Sequence, residues 1–193
     1  MLLRHAKSDW PDGVPDHERP LASRGRRDAP TMGRWLRAEG HVPDHVVCST
    51  ALRTRQTWEL VQPELHTAPS TVFEPRVYAA SVRQLAEVVG SAPEAARTLL
   101  LVGHNPGIEE FAVTLAAANA SANVSANAGT DASANASAIA EADSAGGGRA
   151  AELDRMRGKF PTAAIAVFEW SGGWDQLFPG VARLARFVTP RDL

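Results

Sequence analysis

The chain has 193 residues, 44% of them hydrophobic and 22% charged, which suits one globular domain with a sizeable core. A formal net charge of −2 excludes a global positive field that would draw it to nucleic acid or an anionic membrane. The one cysteine, Cys48, excludes an internal disulfide and fits a reducing compartment, and no apolar run approaches the roughly 20 residues of a membrane span.

Met1 to Arg4 reads as a short buried strand, entered so early that no room is left for a signal peptide; a cytoplasmic protein is expected. Ala6 to Leu21 is loop-like, punctuated by Pro11, Gly13, Pro15 and Pro20. Ser23 can cap a helix running to about Glu39 and closed by Gly40, with Pro30 predicting a kink or a late start. His45 to Cys48 reads as a strand, Ala51 to Val61 as a helix stopped near Pro63, and Thr71 to Phe73 as a weak strand. Ser81 to Val89 is a helix with Ser81 as its cap. Thr98 to Val102 is a continuous apolar run, the mark of a strand buried on both faces, and Pro106 to Ala117 a helix with proline in its first turn. Composition then breaks. Residues 119–150 are almost entirely Ala, Ser, Asn and Gly, too poor in large apolar groups to offset their ordering entropy, and read as a flexible insertion within one domain spanning 1–193. Ala163 to Trp170 and Val181 to Val188 read as two more strands, the second at an edge or antiparallel. The alternation predicts an α/β fold, a three-layer α/β/α sandwich around a mostly parallel sheet.

Three motifs fall at the carboxyl ends of predicted strands: Arg4-His5, Ser49 to Arg53, and Gly103-His104-Asn105-Pro106. Ligands of open α/β sheets bind there, and helices beginning just beyond the second and third motifs favour an anion. The residue types suit phosphate. Arg4 and Arg53 offer guanidinium forks, while His5 and His104 are imidazoles, whose reference pKa is about 6.5, so one can be a neutral nucleophile and the other a cation or hydrogen-bond donor. The pocket core shows no carboxylates, so neither a metal nor another cofactor is called for.

Leu3-Arg4-His5-Ala6-Lys7-Ser8 resembles the Arg-His signature of the histidine phosphatase (phosphoglycerate mutase-like) superfamily. Ser49-Thr50-Ala51-Leu52-Arg53-Thr54-Arg55-Gln56-Thr57 resembles its second block and Gly103-His104-Asn105-Pro106 its third. Arg-His-Ala-Lys-Ser, Arg19-Pro20-Leu21 and Lys159-Phe160-Pro161-Thr162 are most similar to the SixA-type phosphohistidine phosphatases. The resemblance implies a phosphoglycerate mutase-like fold and a monomeric hydrolase acting on a phosphorylated protein or small metabolite. It implies His5 as the nucleophile forming a phosphohistidine, with Arg4, Arg53 and His104 binding the phosphoryl group and Ser8 as a further donor. Many family members carry a pocket acid for an alkoxide leaving group. Here Glu74 is the nearest candidate, with Asp9, Asp12 and Asp16 in the loop after His5. The missing acid favours phosphoramidates, since imidazole leaves more readily than an alkoxide.

Other residues have plainer readings. His17, His41, His45 and His66 lack metal-ligand spacing and read as surface or loop residues, and Asp16-His17-Glu18 as a solvated loop. Arg24, Arg26 and Arg27 form a wet helix face, and Arg55 is solvated. The tryptophans pack, with Trp10, in the loop flanking His5, as the exception to watch. Two other functions compete: a small-metabolite phosphomonoesterase or mutase of the same superfamily, and a non-catalytic phosphate-binding module.

Overall fold

The computed structural model describes residues 1–116, 148, 150–177 and 182–193. The strands are β1 (Leu2–Arg4), β2 (His45–Ser49), β3 (Ser70–Glu74), β4 (Leu99–Gly103), β5 (Ile165–Glu169) and β6 (Arg183–Val188). The helices are α1 (Ser23–Ala38), α2 (Leu52–Val61), α3 (Val82–Gly90), α4 (Gly107–Ala116) and α5, over 150–158. The strands form one sheet in the order β3-β2-β4-β1-β5-β6. The first four run parallel. β5 runs against both β1 and β6, so the expected edge strand is β6, while the reversal in the sheet begins at β5.

Alternation of side chains along the strands separates two cores. Leu2, Leu99 and Leu101 face one layer with Phe111, Met156 and Phe160. Leu3, Leu100 and Val102 face the other with Met32, Leu36 and Trp58. This is the three-layer α/β/α sandwich that the βα alternation predicts. Ser81 caps α3 as a capping box with Gln84. Ser23, by contrast, is the first residue of α1 and Ala22 its cap position, and Pro30 lies inside the helix, so no late start occurs. The insertion read over 119–150 lies, but for residues 148 and 150, outside the described residues. No described helix is long and apolar enough to cross a membrane.

Register aligns the strand ends. Arg4 pairs with Gly103 across β1 and β4, and Cys48 with Val102 across β2 and β4. β2, β4 and β1 are neighbours, so the residues that follow them open onto one edge of the sheet.

Candidate active site

At that edge lies a cleft of about 450 Å³ lined by Arg4, His5, Ser8, Arg53 and His104, together with Asp16, Arg19 and Tyr78. A larger depression of about 1090 Å³ lies at the opposite end of the strands, around Met1, Thr98 and Trp174; none of the motif residues lines it. The motif residues therefore gather in the smaller cleft.

His5 follows β1 directly. Its backbone N–H donates to Gly103 O at 3.0 Å, tying it to β4. Its ring Nδ1 lies 2.7 Å from Ala6 O. A carbonyl can only accept, so Nδ1 carries the proton and Nε2 of the neutral ring keeps a free lone pair. Burial pushes the His5 pKa down to about 3, the nearby Arg53, Arg4 and Arg19 cations adding to the depression against the opposing pull of the Ala6 carbonyl. The ring is neutral at physiological pH.

His104, beyond β4, has its ring centroid 5.2 Å from that of His5. Its Nε2 lies 2.8 Å from Ser49 Oγ, and Ser49 Oγ is within 3.5 Å of Ala51 N. All three groups are satisfied if Ser49 accepts from Ala51 and donates to Nε2, which places the imidazole proton on Nδ1. His104 Nδ1 is buried with no partner, as is Arg4 Nε. Such donors are the kind an oxyanion satisfies. Burial pushes the His104 pKa down to about 3 as well, and His5 and Arg53 add to it.

Arg4 donates through Nη1 to Phe160 O at 2.7 Å, and Asn105 Nδ2 donates to the same carbonyl at 3.1 Å. Phe160 is itself fully buried against Phe187, so a core side chain anchors the acceptor that orients Arg4. Arg53 sits in the first turn of α2, on the helix face that also buries Thr54, Thr57, Trp58 and Val61. The packing of that stripe carries Arg53 into the cleft, while Arg55 is exposed.

The second motif also braces the loops around His5. Thr57 Oγ1 accepts from Ala6 N at 3.0 Å and donates to Arg53 O at 2.6 Å. Gln56 Oε1 accepts from Leu21 N at 2.8 Å. The Gln-Thr pair thus holds the start of the 6–21 loop and its end.

Asp16, Arg19 and Tyr78 are the residues that sequence reasoning missed as a group. Asp16 belongs to a single 3-10 turn, Asp16–Glu18, and its Oδ1 accepts from Arg19 Nη1 at 2.8 Å. Its Oδ2 accepts from Arg53 Nη2 at 2.9 Å and from Tyr78 OH at 2.7 Å. Those three donors hold the carboxyl well below the usual carboxylate range. Arg19 also donates to Ser8 Oγ at 2.8 Å and to Asp9 O at 2.9 Å. Trp10 is 71% exposed and stacks on the Arg19 guanidinium at 3.1 Å.

Glu74 accepts from Arg76, through both its backbone N–H and its guanidinium, and does not line the cleft. His17 is not a free loop residue: it meets Thr50 Oγ1 at 3.0 Å and packs edge-on to Tyr78. His45, expected at the surface, is buried at the start of β2. Arg24, Arg26 and Arg27 are exposed on α1, as expected.

A sequence model of the histidine phosphatase superfamily (branch 1) matches residues 1–76. An uncharacterized protein of Mycobacterium tuberculosis is 40% identical over 192 residues, covering 98% of this chain and all of its own. The chain belongs to the histidine phosphatase superfamily. Among solved structures, one assigned as the phosphohistidine phosphatase SixA of Nakamurella multipartitia superposes with a TM-score of 0.73 at 29% identity, covering 98% of this chain and 95% of its own. A second SixA structure, from Agrobacterium tumefaciens, shares the fold with a TM-score of 0.67 at 24% identity, covering 98% and 96%. The phosphoglycerate mutase-like fold and the phosphatase class follow from this membership, and the cleft at the ends of β1, β2 and β4 is where this histidine phosphatase carries its motif residues.

Proposed function

We propose that the protein hydrolyses phosphohistidine in a protein substrate, through a phosphohistidine intermediate on His5. The observation that carries this reading is the Nδ1 hydrogen bond of His5 to Ala6 O, which leaves Nε2 unprotonated in a residue that shares its cleft with Arg4, Arg53 and His104. In the first step His5 Nε2 attacks phosphorus, the bond from phosphorus to the leaving nitrogen breaks, and that nitrogen takes a proton from solvent. In the second step water attacks phosphorus and the bond from phosphorus to Nε2 breaks, its electron pair returning to the ring. Inorganic phosphate departs with the water's oxygen and protons, and the neutral His5 ring, still protonated on Nδ1, returns. Arg4, Arg53 and His104 Nδ1–H stabilise the charge on the transferring phosphoryl oxygens, and Ser8, held by Arg19, is a further donor.

The substrate class rests on proton supply. Asp16 is the carboxylate among the cleft's lining residues, and its partners keep it ionised, so it has no proton to give an alkoxide. Glu74 is turned to Arg76. An imidazole can be protonated from solvent before it leaves, so a P–N bond needs no such acid. The test compares a phosphohistidine peptide with simple alkyl phosphates, and wild type with His5→Ala. Turnover confined to wild type and fastest on the peptide is expected, with a phosphorylated His5 trapped by an acid-free quench. Activity retained by His5→Ala, or alkyl phosphates cleaved far faster, would sink the proposal.

A further inference from the structure

Arg53 enters the cleft from α2, yet both of its terminal nitrogens already have acceptors on the facing loop. Nη1 donates to Asp16 O and Nη2 to Asp16 Oδ2. One backbone carbonyl and one carboxylate oxygen from a single residue thus grip the guanidinium end-on. Two of its five N–H groups are used, and Nε–H and one hydrogen on each terminal nitrogen remain for a ligand. The same carboxylate takes Arg19 Nη1 on its other oxygen, and Arg19 passes the constraint on to Ser8 Oγ. Tyr78, 62 residues further along the chain, closes the arrangement on Oδ2. The turn beneath is fixed by the Glu18 N–H donating to Pro15 O at 2.9 Å.

We propose that Asp16 is a positioning residue of this phosphatase, setting the Arg53 fork towards His5 and, through Arg19, the Ser8 hydroxyl. A carboxylate on a phosphate-binding arginine could instead be a plug that substrate must displace. The geometry points away from that. Asp16 has no hydrogen bond to Arg4, His5 or His104, whose bonds go to Phe160 O, Ala6 O and Ser49 Oγ instead. Its side chain is 48% exposed at the rim, whereas that of Arg53 is 8% exposed. The two Asp16 oxygens use one hydrogen on each terminal nitrogen and leave three N–H groups of the fork without a bond to Asp16. A guanidinium on a long side chain loses rotamer entropy when it orders; a fixed acceptor pair meets that cost before substrate arrives.

The proposal takes its turnover readout from the proposed function, but its primary test does not depend on catalysis. Orthovanadate binding to wild type, Asp16→Asn, Arg53→Ala and the double variant is measured by calorimetry, alongside kcat/KM. Asp16→Asn keeps the shape and loses the charge. It is expected to weaken vanadate binding and lower kcat/KM, each about tenfold or more, from loss of charge-assisted hydrogen bonds. In the Arg53→Ala background the same change should cost less than about threefold, because the residue it positions is gone. Tighter vanadate binding in Asp16→Asn identifies a plug and overturns the proposal. An undiminished loss in the double variant shows independent action and overturns it too. Should Asp16→Asn melt early, Asp16→Glu keeps the charge and displaces the carboxylate by one methylene. A smaller loss in the same direction is expected there, and wild-type vanadate affinity would refute positioning. A wild-type protein that binds vanadate and hydrolyses nothing would defeat the proposed function while leaving these comparisons readable.

Discussion

Replacing Thr57 with valine removes one hydroxyl from beneath His5 and changes side-chain size little. Thr57 and Ala6 are both fully buried, and Thr57 Oγ1 accepts the Ala6 N–H at 3.0 Å. Valine cannot accept, so that N–H is left buried and unpaired, at a cost of about 1–3 kcal/mol. The hydroxyl's donation to Arg53 O is also lost, but that carbonyl lies in α2, where the helical ladder serves it. Ala6 is the residue whose carbonyl fixes the His5 ring, so loosening it loosens the attacking nitrogen. A shift that raises the barrier by about 1.4 kcal/mol lowers the rate about tenfold. Urea unfolding at pH 7 and kcat/KM on the phosphohistidine peptide measure the two effects, with Thr57→Ser, which keeps the acceptor, as the near-wild-type control. A Thr57→Val protein with unchanged midpoint and unchanged kcat/KM would show that Ala6 is held by something other than this bond.

Three further expectations follow from the same geometry. His5 and His104 fold with pKa values near 3 against an unfolded 6.5, so the unfolded chain binds more protons between those values; stability is full above about pH 6.5 and is lost as pH falls towards 3. The slope approaches about 1.4 kcal/mol per pH unit for each ring, and urea midpoints from pH 7 to 4 should be visibly flatter in His5→Ala. Gly25→Ala would drive its Cβ into the backbone of Lys7, its carbonyl oxygen above all, where α1 meets the loop after His5. Separation of the two should cost about 1–3 kcal/mol and be read as an earlier thermal midpoint with reduced turnover; a wild-type midpoint would mean the contact yields freely. Ser49→Ala removes the hydroxyl on His104 Nε2 and should weaken vanadate binding several-fold, and equal affinity would show that the His104 ring is fixed without it.

The strand-end motifs were legible because each pairs a periodic or apolar run with a break: Leu99 to Val102 is uninterrupted, and Gly103-His104 ends it. Register then did the rest, since three neighbouring parallel strands must end side by side. The cleft's outer half was not legible. Residues 9–20 have no periodicity, and Asp16 meets Tyr78 across 62 positions, a distance no local pattern encodes. Arg19 stood inside a family-like Arg-Pro-Leu string, but its burial, 6% exposed, comes from Ser8, Asp9, Asp16 and Trp10 gathering around it. Gln56-Thr57 lay within the second motif, yet spacing says nothing of which backbone N–H a side chain will accept. His45 reads as polar on its own, and the sheet buries it between β3 and β4. The start of α5, beside the Ala-rich stretch, had too few large apolar residues to stand out, although Met156 within it is fully buried.

The choice of a carbonyl as partner for His5 Nδ1 has a consequence for the proposed transfer step. A carboxylate there would raise the pKa of the ring and leave more of it protonated; a neutral acceptor leaves the ring free to lose its Nε2 proton through burial. When Nε2 forms its bond to phosphorus, Nδ1 still holds a proton and the ring gains positive charge. The Nδ1–H bond to Ala6 O then becomes charge-assisted, about twice as strong as the neutral bond of the resting site. Its gain therefore appears in the transition state and is small in the ground state, which is the condition for raising kcat. Thr57, which holds Ala6, acts on that gain, whereas Ser49 acts on a donor that meets the phosphoryl group as it binds. Thr57→Val should lower kcat more than it raises KM, and Ser49→Ala should divide its loss between the two. Equal division in both variants would mean that the Ala6 carbonyl orients the ring without sharing in its charge.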